Sequence, residues 1–386
     1  MKVLCILFLF IFCNLIADGE EVATVLSRSN NIPKESTQKN DDEYFEGYLQ
    51  ALIDMHYYEY KVVVMVKDGN VWLANMPKNS VYANSIITFL KDVPGVKKVV
   101  AVNGVPPEEV EIREKYVNRP KVKGIWFPQA TELYQPMIAN PRQVIYSFGY
   151  RGGDKVAGRT SIAFSMGDDF PVFRWLDING GDLQIGIEAG IWSVFDMKPA
   201  INLGKGTAMF NTDYTLAIPV SYAKNQWSFR FRIYHISSHL GDEFLVNHPQ
   251  YARVNPSFEA FDIFTSYQVN NYLRFYFGPG VILHSDHTFP MKHYYVEYGA
   301  DASFWGTRIY YHRLFGTFFT AVYFRNWQLN DMNIDGTYML GYEWSKLQGV
   351  GKKIRLYGFY HHGYSPDGQF MNKRTTYYGF SFAYGF

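Results

Sequence analysis

From about residue 143 to the last residue, side chains alternate between apolar and small or polar with a period of two, and turn signals recur between the runs. The closing run, TTYYGFSFAYGF, shows the pattern most plainly. Tyr378, Phe380, Phe382, Tyr384 and Phe386 fall on one face, and Gly379, Ser381, Ala383 and Gly385 on the other. A soluble sandwich ending on such a strand would expose an aromatic edge to pairing with other chains. A strand of a closed wall, with lipid on one side and a lumen on the other, has no free edge.

The alternation divides into six hairpins, with strands expected at 143–151, 160–178, 182–196, 212–223, 226–240, 257–269, 272–284, 293–304, 314–327, 336–345, 353–364 and 375–386. Connections at 179–181, 224–225 and 270–271 are tight, and those at 197–211 and 241–256 are long. Short periplasmic turns, long outer loops and an even strand number characterise outer-membrane barrels. The expected fold is therefore a transmembrane antiparallel β-barrel of about 12 strands over residues 143–386. Tyr and Phe, 31 of each, supply the apolar wall, and a formal charge of +1 gives no reason to expect a nucleic-acid partner.

Residues 1–19, MKVLCILFLFIFCNLIADG, read as a secretory signal peptide, too short and wrongly flanked to be a membrane helix. Both cysteines, Cys5 and Cys13, lie within it, so cleavage leaves a chain without disulfide or thiol chemistry. A lipid anchor at Cys13 is disfavoured by the bulky Ile11 and Phe12 before it.

Residues 41–104 have a different grammar. DDEYFEGYLQALIDMH carries Phe45, Leu49, Leu52 and Ile53 at helical spacing. YKVVVMVKDGNVWLANM reads as two strands about Asp68-Gly69, SVYANSIITFLKDV as a second helix and GVKKVVAV as a closing strand. The order is αββαβ. Val62, Val64, Val66, Asp68-Gly69, Val71, Leu73, Gly95-Val96 and Val99 resemble the pattern of the BON domain, although Ala74-Asn75 replace a small glycine usual after the second strand. That resemblance implies attachment to a membrane or periplasmic envelope surface; a generic αββαβ domain is the alternative. Residues 105–142 form a charged, proline-containing linker.

One stretch of the barrel carries candidate chemistry: YHISSHLGDEF, Tyr234–Phe244. On the strand QWSFRFRIYHISSHL, Arg230 and Arg232 share a face with Tyr234, whereas Trp227, Phe229, Phe231, Ile233, His235 and Ser237 share the other. An arginine facing hydrocarbon near the midplane costs ~2–4 kcal/mol, so the arginine face belongs to the lumen. His235 and Ser237 then point outward. A tilted strand crosses the apolar core in ~9–11 residues, which places them at the outer-leaflet boundary, beside lipid ester bonds. On the next strand Glu259 shares the outward face with Phe261, Ile263 and Tyr267. A hairpin symmetric about His248 sets Ser237 opposite Glu259, with His235 diagonal to it. Ser237 as nucleophile, His235 as base and Glu259 as the orienting carboxylate make up an acyl-transfer set, with the Gly241 amide as a candidate oxyanion donor.

The outward His-X-Ser motif resembles those of outer-membrane phospholipase A and the lipid A deacylase. The resemblance implies a lipid acyl ester substrate, His235 as base and Ser237 as nucleophile; Ser238 stands where those families often have Asn. HISSHLGDE and ANPRQ (Ala139–Gln143) also resemble a family of exported proteins from chlamydia-type bacteria with a domain of unknown function, a likeness that implies no activity. The terminal aromatic pattern resembles the signal read by the barrel assembly machinery.

Blander alternatives remain open. His235, Ser237 and His239 also suit a polar rim where a strand leaves the bilayer. His239, Asp242 and Glu243 could hold a cation at the loop base, and hard oxygen ligands favour calcium. No other cofactor is expected. Trp227, Trp305, Trp327 and Trp344 fit aromatic girdles. Arg230, Arg232, Glu188 and Glu343 line a pore or pair across it, and a 12-stranded barrel favours a largely filled interior. The function reading is thus a surface lipid acyl hydrolase or, alternatively, a non-catalytic structural or narrow porin-like barrel. It sits in a bacterial outer membrane with its N-terminal domain in the periplasm, in contact with membrane lipids, and is compatible with a homodimer.

Overall fold

The computed structural model describes residues 38–57, 62–78, 80–101, 123–128, 132–198, 207–251, 254–270, 272–310, 314–347 and 350–386. The expected signal peptide, with both cysteines, residues 102–104 at the end of the expected αββαβ domain, and residues 105–122 and 129–131 of the expected linker lie outside that set.

Twelve antiparallel strands form the wall: β5 (Tyr146–Gly152), β6 (Thr160–Ile178), β7 (Gly181–Asp196), β8 (Ala208–Lys224), β9 (Trp227–Leu240), β10 (Phe258–Asn270), β11 (Leu273–Ser285), β12 (Tyr294–Tyr310), β13 (Leu314–Trp327), β14 (Ile334–Leu347), β15 (Val350–Tyr364) and β16 (Arg374–Gly385). Each pairs with its sequence neighbour, and β16 returns to β5 in the register Tyr378↔Gly152 to Tyr384↔Tyr146, which closes the cylinder. A short strand β4 (Gly124–Trp126) adds to the lower part of β6 beside this seam. Among the described residues no helix is long and apolar enough to cross a membrane.

The period of two decides what each face does. Along β10, Phe258, Ala260, Asp262, Phe264 and Ser266 are buried, while Glu259, Phe261, Ile263 and Thr265 are half-buried on the other face. On β16, Tyr378, Phe380, Phe382 and Tyr384 are exposed as expected, but Phe386 is buried. It follows Gly385, the last strand residue, and its carbonyl accepts a hydrogen bond of 2.7 Å from Arg355 inside the barrel. Trp227 and Trp305 face outward, whereas Trp327 does not belong to a girdle. It shares the phase of lumenal Arg325 and Tyr323, stacks on Tyr295 at 4.6 Å and donates its indole N–H to Glu297 at 3.2 Å.

The preceding residues form α1 (Gln38–Tyr57), β1 (Val63–Lys67), β2 (Asn70–Ala74), α2 (Ser80–Lys91) and β3 (Lys98–Ala101), in the expected αββαβ order. β1 and β2 are antiparallel about Asp68-Gly69; both turn residues have positive φ, 52° and 76°, as a type I′ hairpin requires. β3 lies parallel to β2. Leu49 and Ile53 of α1 and Ile86 and Leu90 of α2 bury one face of this sheet, contributed by Val64, Val66, Val71 and Leu73.

This unit sits on the tight-turn end of the barrel. Lys78 pairs with Asp177 beside the β6–β7 turn, and Leu133 and Ala223 complete the unit's core. Residues 132–145, expected to be mostly connector, instead run into the lumen. Tyr134, Met137 and Ala139 pack there against Phe264, Tyr276, Phe319 and Met339 of the wall. Arg274 donates to the carbonyls of Gln135 (2.7 Å) and Pro136, and Trp192 donates to the carbonyl of Gln143 at 3.3 Å. From the long-loop end, residues 365–371 fold inward and are all buried. Gly368 permits this close approach, because a Cβ there would lie 2.6 Å from the Ser238 hydroxyl. The two fillings meet at Arg142, which pairs with Asp213 and donates to the Pro366 carbonyl at 2.6 Å.

Candidate functional site

The arginine pair of β9 settles which face of that strand looks inward. Arg230 is buried with its guanidinium 4.9 Å from the Tyr134 ring and 5.0 Å from the Phe264 ring. Arg232 donates to Glu188 at 2.8 Å and to Asp262 at 2.6 Å and 3.1 Å. Glu343 is held by Arg355 at 3.0 Å and Lys353 at 3.4 Å. The four charged groups expected in the lumen are all there. Three of them are paired, and Arg230 is stacked on aromatic rings.

The opposite face of β9 carries Phe231 and Ile233, exposed to 43% and 58%, as lipid-facing side chains must be. His235 continues that face. Its strand neighbour on β8 is Leu216, also lipid-exposed, and the Thr215 hydroxyl donates to the His235 carbonyl at 3.1 Å. Across the other side, His235 stands directly opposite Glu259, and its Nδ1 lies 2.8 Å from Oε1. A symmetric loop would have placed Ser237 there. The loop carries a short helix, α3 (Asp242–Asn247), and the strands pair two residues away from the symmetric register. Ser237 therefore lies beyond the start of β10, with Tyr214 as its partner on β8. Among the described residues no hydrogen bond joins Ser237 to His235. Their side chains lie on one face, two residues apart, with ~7 Å of strand between them.

The second oxygen of Glu259 is also engaged. Oε2 lies 2.8 Å from Nδ1 of His284 on β11. Strict alternation would turn His284 into the lumen, since the neighbouring Ile282 is buried. A β-bulge prevents this: Glu259 pairs with His284 and Ala260 with Ile282, so Leu283 is the extra residue. Leu283 and His284 consequently both face outward. The Glu259, His235 and His284 side chains are 43%, 44% and 75% exposed, so this is a surface array above a lipid-facing belt. An ionised carboxylate only accepts, so each imidazole carries its proton on Nδ1 and presents Nε2 outward.

Three further residues do not assemble. His239 meets the Tyr214 ring edge-on at 5.7 Å, and Asp242 and Glu243 open α3. Among the described residues no three His, Cys, Asp or Glu side chains group to hold a metal ion, so the expected calcium set at the loop base is not brought together. The Gly241 amide points to the Phe210 carbonyl at 3.5 Å and is not directed to the outer wall, which removes it as an oxyanion donor.

A closed antiparallel cylinder with aromatic residues outside and paired charges within is a β-barrel of the outer-membrane type. Within that class, the chain belongs to the family described as protein of unknown function (DUF1207), which it matches over residues 56–386. No curated protein matches it by sequence. Among solved structures it is similar to outer membrane phospholipase A from Escherichia coli, with 14% identity, a TM-score of 0.45 and coverage of 69% of this chain and 93% of that one. It is also similar to the outer membrane phospholipase dimer of Salmonella typhi with bound calcium (14% identity, TM-score 0.43, 63% and 93% covered). The transport unit of the autotransporter AIDA-I from Escherichia coli follows (11% identity, TM-score 0.33, 64% and 91% covered).

Proposed function

We propose that this barrel is a lipid acyl hydrolase whose reaction takes place on its outer wall. The observation that carries the reading is the 2.8 Å contact between His235 Nδ1 and Glu259 Oε1 on the lipid-facing side, with Ser237 on the same face. Orientation of an imidazole through Nδ1 leaves Nε2 to act as base. The reaction requires Ser237 to turn until Oγ meets Nε2 while His235 Nδ1 keeps its contact with Glu259. Oγ then attacks the ester carbonyl of a lipid seated against the belt, and Nε2 takes the hydroxyl proton. The imidazolium, stabilised by Glu259, returns that proton to the leaving alkoxide. Water, deprotonated by the same Nε2, then releases the fatty acid and regenerates Ser237.

A filled lumen supports the same placement. With chain from both ends lodged in the lumen, the outer wall is the face on which an imidazole, a carboxylate and a hydroxyl meet lipid together. The test is fatty-acid release from phospholipid or lipid A vesicles by the purified protein. Release that disappears in Ser237→Ala and in His235→Ala supports the reading; release undiminished in Ser237→Ala refutes it.

A second reading, a sealed structural barrel, is favoured by the junction at Arg142, where the chain filling one mouth pairs with residues of the wall and touches the chain filling the other. It predicts neither conductance nor lipid release. In either reading the tight turns face the periplasm, and the αββαβ unit, positioned at that end, meets the periplasmic envelope surface.

A further inference from the structure

We infer that His284 is a positioning residue of the outer-wall site: it clamps the second oxygen of Glu259 and so fixes the plane in which Oε1 meets His235. This inference rests on the hydrolase reading for its consequence, but its geometry stands separately. Glu259 lies on the middle strand of three, with an imidazole directly opposite on each side and a 2.8 Å contact to each oxygen.

A glutamate on a membrane-boundary strand has three rotatable side-chain bonds, and at 43% exposure it can leave a single weak partner for water. Two donors on opposite sides remove that freedom, because any rotation that frees one oxygen breaks the contact at the other. The bulge at Leu283 is the structural device that makes this possible. Without it, the residue beside Glu259 would be an aliphatic side chain, and His284 would face the lumen. Bulges that re-aim a side chain recur next to active sites. His284 itself is 75% exposed at its side chain and makes no other side-chain hydrogen bond among the described residues.

The role is one step removed from the lipid. His284 touches neither Ser237 nor the reacting ester; it acts through Glu259 on the tautomer and orientation of His235. The outer hydrogen-bond partners of metal-binding histidines, which fix ring tautomer and orientation in the same way, are worth ~10–100-fold in affinity or activity. Here we expect the lower end, about ten-fold, because Glu259 retains its contact with His235 when His284 is removed.

The experiment uses the full-length protein in lipid vesicles, with two substitutions. In His284→Ala the donor is lost, and kcat for fatty-acid release falls about ten-fold with KM unchanged. In His284→Asn an amide N–H stands where Nδ1–H stood, and kcat recovers. The imidazole 15N resonances of His235 provide a readout that does not depend on turnover. They shift in His284→Ala, as the Nδ1–H population falls, and return in His284→Asn. Unchanged His235 resonances in His284→Ala overturn the clamp. Equal losses of kcat in the Ala and Asn variants overturn it as well. Absence of any lipid release by the unsubstituted protein, with His235 resonances that still respond to His284→Ala, overturns the hydrolase reading and leaves the clamp intact.

Discussion

Arg232→Met tests whether the lumen is dry. In the folded protein this guanidinium bridges two carboxylates, at 2.8 Å to Glu188 and 2.6 Å to Asp262, and both acids are almost completely buried. At an effective dielectric of 20, each contact is worth ~6 kcal/mol of attraction before desolvation is counted. Most of that is offset by the cost of taking the charges out of water. Removing the cation alone forfeits the attraction while the two acids stay buried, and breaking a buried pair in this way typically destabilises by ~3–5 kcal/mol. Asp262 has little else to rely on: its Oδ2 receives the Tyr295 hydroxyl at 3.5 Å, and its Oδ1 is buried without a hydrogen-bond partner among the described residues. Urea unfolding in lipid vesicles, followed by tryptophan fluorescence, should show that loss at an unchanged m-value. The triple variant Arg232→Met/Glu188→Gln/Asp262→Asn should recover most of it, since no buried charge is then stranded. A loss of less than about 1 kcal/mol in the single variant would mean that water reaches these acids, and the account of a sealed interior would fall.

Three other outcomes follow from the same structure. The unsubstituted protein should show no conductance steps in planar bilayers, whereas Arg142→Ala, which unfastens the two lumenal fillings from each other, should admit transient openings. Double cysteine variants should report the β9–β10 register: a short bimane linker should bridge 235/259, which are direct cross-strand neighbours, far faster than 237/259. Asp286, in the β11–β12 loop, accepts from the Thr288 hydroxyl and amide and from Asn255, which together lower its pKa to about 2. Because the folded value lies below the unfolded one, this stabilisation is present above about pH 4 and is lost as the pH falls towards 2. Thr288→Val should raise the carboxyl midpoint in an NMR titration.

Much of the wall was legible because one physical rule, lipid outside and polar groups inside, acts on every strand. Arg230 and Arg232 were enough to orient β9, and Asp262 and Ser266 oriented β10. What could not be read depended on departures from that rule. The pairing of His235 with Glu259 is set by the path of a loop whose helix has no counterpart in strand periodicity. His284 is displaced by one bulged residue, and a bulge leaves no mark in an alternating pattern except a misfit at its end. A histidine next to a buried isoleucine and an exposed leucine was that misfit. Trp327 was assigned by residue type, although its phase with Arg325 already placed it inside. Residues 132–145 lack periodicity, so their lumenal path follows from what the cavity needs to be filled with rather than from their own sequence.

The shortest strand of the wall has mechanical meaning. β5 is joined to β6 by six residue pairs and to β16 by seven, whereas the β7–β8 joint has thirteen. It is also the strand that directly continues residues 132–145. A pull on the N-terminal unit that breaks the lumenal contacts of residues 132–145 is therefore passed on to the joints with few residue pairs. Once those contacts give way, load applied at the tight-turn end is felt at this seam, far around the wall from the histidine pair.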